Sequence, residues 1–105
     1  MFDEIEPGEL AIARQSETWL LLDVREDWER EIVSLPDTIN IPLGELVART
    51  DEIPGDGKLA VLCHGGVRSA QAAGFLANRG RPLVFNVTGG IDRWATDVEP
   101  SLPRY

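Results

Sequence analysis

The sequence predicts an α/β fold, an open parallel sheet with helices on both faces, and three observations carry that prediction. Trp19–Val24 is a continuous apolar run of strand length, as expected of a strand covered on both faces, and Leu59–Leu62 and Leu83–Val87 read as a second and a third strand. Segments with helical spacing fall between them, and strands alternating with helices argue a parallel sheet. Polar and glycine-rich residues then appear abruptly where the runs end, at Asp23-Val-Arg25, Cys63-His-Gly-Gly66 and Thr88-Gly-Gly90. Ligands bind beyond the carboxyl ends of such strands, so these three turns are expected to share one crevice.

Taken in order, Pro7-Gly8 opens the first ordered segment, and Glu9–Arg14 suits a short helix with Leu10 and Ala13 inward. Trp19–Val24 is the first strand. Asp27–Ile32 suits a helix on which Trp28 and Ile32, four apart, meet on one face. Trp19, Trp28 and Trp94 read as core or near-core residues. Leu35-Pro-Asp37 is a turn, followed by a short strand at Thr38–Ile41 that Pro42 closes. Leu43–Arg49 reads as a helix presenting Leu43, Leu46 and Val47. Pro54-Gly-Asp-Gly57 is a strong turn signal. Leu59–Leu62 is the second strand and delivers Cys63. The helix after it runs from about Ser69 to Asn78 with Ala70, Ala73, Leu76 and Ala77 inward, and Gly80 sits where a left-handed cap belongs. Leu83–Val87 is the third strand, and Ile91–Ala95 a last helix with Ile91 and Trp94 inward.

Composition narrows the function classes. A chain of 105 residues with 43% hydrophobic content and no repeat or linker reads as a single domain over 1–105. No apolar run is long enough to span a bilayer, and the acidic start lacks the basic-then-apolar order of a secretory signal. A cytoplasmic protein without membrane contact is expected. One cysteine and one histidine make neither an internal disulfide nor a thiolate metal site, so no metal and no cofactor are expected. The formal net charge of −8 repels phosphate backbones and argues against nucleic acid; it otherwise reads as ordinary solubility.

The chemistry centres on Cys63. A lone cysteine ending an apolar strand is usually an inert core residue, but the residues after this one have no packing purpose that needs a cysteine before them. The sequence Cys63-His64-Gly65-Gly66-Val67-Arg68-Ser69 is a glycine-rich, cationic turn leading into a helix. Backbone N–H groups of such a loop form an anion-binding nest, the helix start adds donors, and both favour the reactive thiolate. Gly65 and Gly66 let the backbone turn tightly around the sulfur. Arg68 adds fixed positive charge for the thiolate or an anionic ligand. Its alternative reading is a solvated arginine at a helix start, poorly placed for the dipole. His64 and Val67 read as rim residues that shape access, and for His64 this reading stands ahead of a general-base role. Asp23 reads as structural, orienting Arg25 or loop donors.

Four pieces of the chain resemble the rhodanese (sulfurtransferase) family in order and spacing: Leu22-Asp-Val-Arg-Glu26, Ile39-Asn-Ile-Pro-Leu43, Val61-Leu-Cys-His-Gly-Gly-Val-Arg-Ser69 and Asn86-Val-Thr-Gly-Gly-Ile-Asp-Arg-Trp94. The closing stretch Val98–Tyr105 resembles one shared with stand-alone bacterial members, and with the rhodanese domain of enzymes that activate thiocarboxylate sulfur carriers. The chain departs from the family at Ser34-Leu-Pro-Asp-Thr38, where His-Ile-Pro-Gly-Ala is frequent. The resemblance implies that Cys63 takes a sulfane sulfur from a donor such as thiosulfate, becomes a persulfide, and passes the sulfur to cyanide, an external thiol or a sulfur-acceptor protein. With one cysteine, the acceptor comes from outside the chain. Two alternatives stand beside this: a non-catalytic rhodanese-like module that binds a protein, and a cysteine phosphatase. The first typically loses the cysteine or the loop glycines, which are present here. The second carries one residue more between its cysteine and arginine, in a loop wide enough for phosphate.

Overall fold

The structure, a computed structural model, describes residues 1–105. Five parallel strands form one sheet in the order β1-β5-β4-β2-β3: β1 Asp3–Ile5, β2 Trp19–Asp23, β3 Ile39–Asn40, β4 Lys58–Leu62 and β5 Val84–Val87. Four α-helices connect them and a fifth follows the last strand: α1 Pro7–Ala13, α2 Asp27–Ile32, α3 Leu46–Arg49, α4 Val67–Asn78 and α5 Gly90–Asp97, with 3₁₀ turns at Leu43–Glu45 and Thr50–Glu52. The predicted strands and helices are present, with ends that coincide or move by at most three residues.

Alternation along the strands sorts the core into two layers. Leu22, Val61 and Val84 face one side with Leu46 of α3 and Ala72, Ala73 and Leu76 of α4. Leu21, Ala60, Leu62 and Val87 face the other with Leu10 of α1 and Ile91 and Trp94 of α5. Central strand β4 is therefore apolar on both faces, which is why it reads as an unbroken run. On α4 the buried positions are Ser69, Ala72, Ala73 and Leu76. Ala70 and Ala77 are only half-buried, so the inward stripe is rotated from the expected one by about one residue.

Three details depart from the sequence reading. The edge strand β1 was not expected; its three residues carry no pattern of their own and gain order by pairing with β5, Glu4 opposite Asn86. Trp28 and Ile32 do not enter the core: they are 58% and 41% exposed. The helix between β2 and β3 turns its buried Glu29 inward instead, so helical spacing identified a face but not its direction. Val47 likewise points out, while Leu46 beside it is buried. At the departure from the family pattern, Asp37 takes φ +59°, left-handed. This is the position where the family often has glycine, and aspartate tolerates that conformation better than most residues.

The two tryptophans should separate by stability. Trp94→Ala, which empties a site 3% exposed, is expected to cost about 3–5 kcal/mol. Trp28→Ala should cost about 0.5 kcal/mol or less. Urea unfolding of the two variants checks this, and equal costs would contradict the packing described.

Candidate active site

The parallel sheet sets the carboxyl ends of β2, β4 and β5 side by side, and Cys63 follows the last residue of the central one. Its peptide is clamped from β5's side. The first turn of α5 donates from Ile91 N–H to the Cys63 carbonyl (2.8 Å) and from Asp92 N–H to the His64 carbonyl (3.1 Å). This requires Gly90: its φ is +62°, and a Cβ there would lie against both carbonyl groups. Gly66 caps α4 with φ +105° and turns the loop back over the sulfur. Its N–H donates to Cys63 Sγ at 3.1 Å. Cys63 itself is 1% exposed, so a ligand meets the loop before the sulfur.

The second contact of the sulfur is Ser69 Oγ at 3.2 Å, and proton counting fixes its sense. Asn86 Nδ2 faces both carboxylate oxygens of Glu4 (3.1 Å each) and the Gly66 carbonyl (3.2 Å). These are acceptors, so the amide cannot be reversed. Asn86 Oδ1 therefore accepts the single Ser69 hydroxyl proton, at 2.5 Å. Ser69 thus has no proton left for the sulfur, which leaves the Gly66 N–H as the donor seen on it. Ser69 is fully buried and Asn86 nearly so. A polar residue in the middle of the run Val84–Val87 was the available signal for Asn86; Glu4 gave none.

Arg68 makes its hydrogen bonds to Glu29 and not to the sulfur. Its guanidinium forms a bidentate pair with Glu29, Nη1 to Oε1 at 2.6 Å and Nη2 to Oε2 at 2.8 Å. The Glu29 side chain is 3% exposed and that of Arg68 34%. Arg68 is thus a tethered cation, not a solvated helix-start residue, and the tether raises its pKa further. Glu29 Oε1 also accepts from the Glu26 N–H (3.0 Å), and Oε2 from the Tyr105 hydroxyl (2.6 Å). Arg68 first, then Tyr105 and the Glu26 backbone, hold the Glu29 carboxyl down at about 2 against the opposing cost of burial.

Asp23 and Arg25 are both fully buried, with Arg25 Nη2 and Nε on the Asp23 carboxylate at 2.8–3.2 Å. Asp23 is fully buried and does not line the crevice expected of it, and it orients Arg25. The remaining Arg25 donors reach the carbonyls of Glu29 and Val33 and the Tyr105 hydroxyl, which pins α2 to the closing segment. The rim is formed by exposed Val67 and Gly65 and half-buried His64, whose ring stacks on Tyr105 at 4.1 Å and 16°. Glu29 and Tyr105 were missed in the sequence. Glu29 carried a signal, standing three residues after Glu26 at a helix start. A cavity of about 300 Å³, lined by Thr50, Ile53, Leu76, Arg79, Arg81 and Pro82, lies at the far end of α4. It is a helix length from the sulfur, roughly 18 Å. No three His, Cys, Asp or Glu side chains converge to share a metal ion, and no helix is long and apolar enough to cross a membrane.

Comparison with known proteins places the chain in a family. The family model of the rhodanese-like domain matches residues 6–97. A sulfurtransferase of Allochromatium vinosum is 36% identical over 80 residues, 76% of this chain and 75% of that protein. An adenylyltransferase and sulfurtransferase of Arabidopsis thaliana, MOCS3, is 34% identical over 110 residues, 90% of this chain but 24% of that protein. The chain thus spans about a quarter of the length of that relative. The crystal structure of a rhodanese-related protein from Thermoplasma volcanium superposes with a TM-score of 0.86 at 34% identity, over 94% of this chain and 96% of that one. The chain belongs to the rhodanese-like domain family.

Acid should weaken the fold through the Glu29 cluster. With its pKa lowered to about 2 from an ordinary value of 4.5, Glu29 contributes stability that is present above the unfolded-state value. That contribution is lost as pH falls from about 5 towards 2, and amounts to roughly 3 kcal/mol at most. Glu29→Gln should flatten the acid limb of urea stability measured between pH 6 and 2. An acid limb as steep as the parent's would refute the assignment.

Proposed function

We propose that the protein is a sulfurtransferase that carries a sulfane sulfur on Cys63. The observation that supports this most is the sulfur's setting: a thiol at the carboxyl end of β4, under a backbone N–H of a loop turned by Gly66. The names of its relatives, a sulfurtransferase and a sulfur carrier protein among them, support the same class of chemistry.

In the first step, the Cys63 thiolate attacks the outer sulfur of thiosulfate or a similar anionic donor. The donor's S–S bond breaks, sulfite leaves with the electron pair, and a Cys63 persulfide is formed. In the second, an external nucleophile attacks the outer sulfur and the thiolate is restored. Cyanide leaves as thiocyanate; a thiol, free or on an acceptor protein, leaves as its own persulfide. Gly66 N–H, the backbone donor already on the sulfur, receives the negative charge. Arg68, one side of its guanidinium on Glu29, offers its remaining donors to the incoming anion. His64 and Val67 shape the approach. A single reactive thiol suits a reducing compartment such as the cytoplasm.

Intact mass should rise by one sulfur atom on incubation with thiosulfate and fall back with cyanide or dithiothreitol. Cys63→Ser should not respond; a Cys63→Ser protein that still gains the sulfur would overturn the proposal. Arg68→Ala should lower thiosulfate:cyanide turnover about ten- to a hundredfold, with partial recovery in Arg68→Lys, whose point charge cannot copy the planar fork. The same substitution leaves Glu29 buried without its cation, so it should cost roughly 3 kcal/mol of stability. The assays therefore belong well below the melting temperature.

A further inference from the structure

The closing segment crosses back to the catalytic loop, and its last side chain occupies a position that the sulfur chemistry above does not use. Glu99 N–H donates to the Trp94 carbonyl, Trp94 Nε1 to the Glu99 carboxylate, and Arg104 pairs with Asp92 at 2.8 Å. Val98, Leu102 and Tyr105 pack on the α1–α5 side of the core. These contacts deliver the Tyr105 ring between His64, on which it stacks, and Trp28, which meets it edge-on at 6.1 Å.

The hydroxyl's direction is forced. Arg25 Nη1, 3.1 Å away, has only protons to offer, so Tyr105 Oη accepts from it. The one phenolic proton is left for Glu29 Oε2 at 2.6 Å. Oε2 is the same oxygen that Arg68 Nη2 holds at 2.8 Å. Tyr105 and Arg68 thus share one oxygen of one nearly buried carboxylate. Every share of Glu29's charge that the phenol takes is withdrawn from the guanidinium.

We propose that Tyr105 is a positioning residue that sets how much of Arg68's positive charge faces an incoming anion, acting through Glu29. The inference rests on the reading of the Cys63 loop as the reactive site, but not on thiosulfate being its donor. With the hydroxyl present, Glu29 neutralises Arg68 incompletely and the mouth of the loop favours anions. Without it, the carboxylate turns wholly to Arg68 and that preference falls.

The test uses the full chain and two alkylating reagents of similar shape, iodoacetate (anionic) and iodoacetamide (neutral), followed by intact mass. The ratio of their rates at Cys63 reads the charge met on approach and cancels changes in the sulfur's own reactivity. Tyr105→Phe keeps the ring on His64 and is expected to lower the ratio about threefold. Glu29→Gln, which releases Arg68, should raise it by a similar factor, and adding Tyr105→Phe to Glu29→Gln should change it no further. In thiosulfate turnover, Tyr105→Phe should raise KM with kcat within about twofold of the parent. An unchanged ratio in Tyr105→Phe, an equal drop in the Glu29→Gln background, or no rise in Glu29→Gln would overturn the proposal. Ratios that move as expected in a protein that never gains sulfur would instead overturn the sulfurtransferase reading alone. If Tyr105→Phe does not fold, the sign of the Glu29→Gln response decides.

Discussion

The site depends on two backbone hydrogen bonds, those from the first turn of α5 to the carbonyls of Cys63 and His64. They join the end of β4 to the end of β5 across a gap that only a glycine at position 90 leaves open. Beyond that peptide the loop turns through left-handed Gly66, and the sulfur falls under the Gly66 N–H. Asn86 reinforces the arrangement from the same strand end, holding the Gly66 carbonyl with one amide proton and aligning Ser69 through its oxygen. The strands supply position, and the glycines supply the room to use it.

Charge is organised differently, by side chains remote in sequence. Glu29 on α2, Arg68 on α4 and Tyr105 at the close of the chain meet in one hydrogen-bonded cluster, with Arg25 behind it tied to Asp23. Burying so many polar groups is costly unless each finds a partner. Here the partners are found, which keeps a guanidinium fixed beside the thiol without folding it onto the sulfur.

The sequence made the sheet legible because β2, β4 and β5 are apolar on both faces, a pattern that does not depend on what they pack against. Cys63 and its loop were legible because glycines and an arginine after a buried strand have no packing role. Elements whose order comes from elsewhere were not. β1 is a strand only because β5 offers it hydrogen bonds. The direction of α2 is decided by Glu29 finding Arg68, which outweighs exposing Trp28. Arg68 was singled out for its charge, but its pairing lies 39 positions away on another element, beyond the reach of spacing rules. Asp23 looked like a crevice residue because it stands at a strand end; burial with Arg25 shows that a strand end has an inner side as well.

Glu4 precedes the first helix and Tyr105 lies beyond the last, yet both touch groups that touch the Cys63 loop. The unit of function is therefore wider than the cysteine motif, and wider than the stretch from α1 to α5. A graft carrying only Pro7–Asp97 into another protein would bring the thiol and every loop residue. It would also bring an Asn86 amide with no carboxylate to face and a Glu29 carboxylate with no phenol. The portability of this site is limited by its two ends, not by its centre.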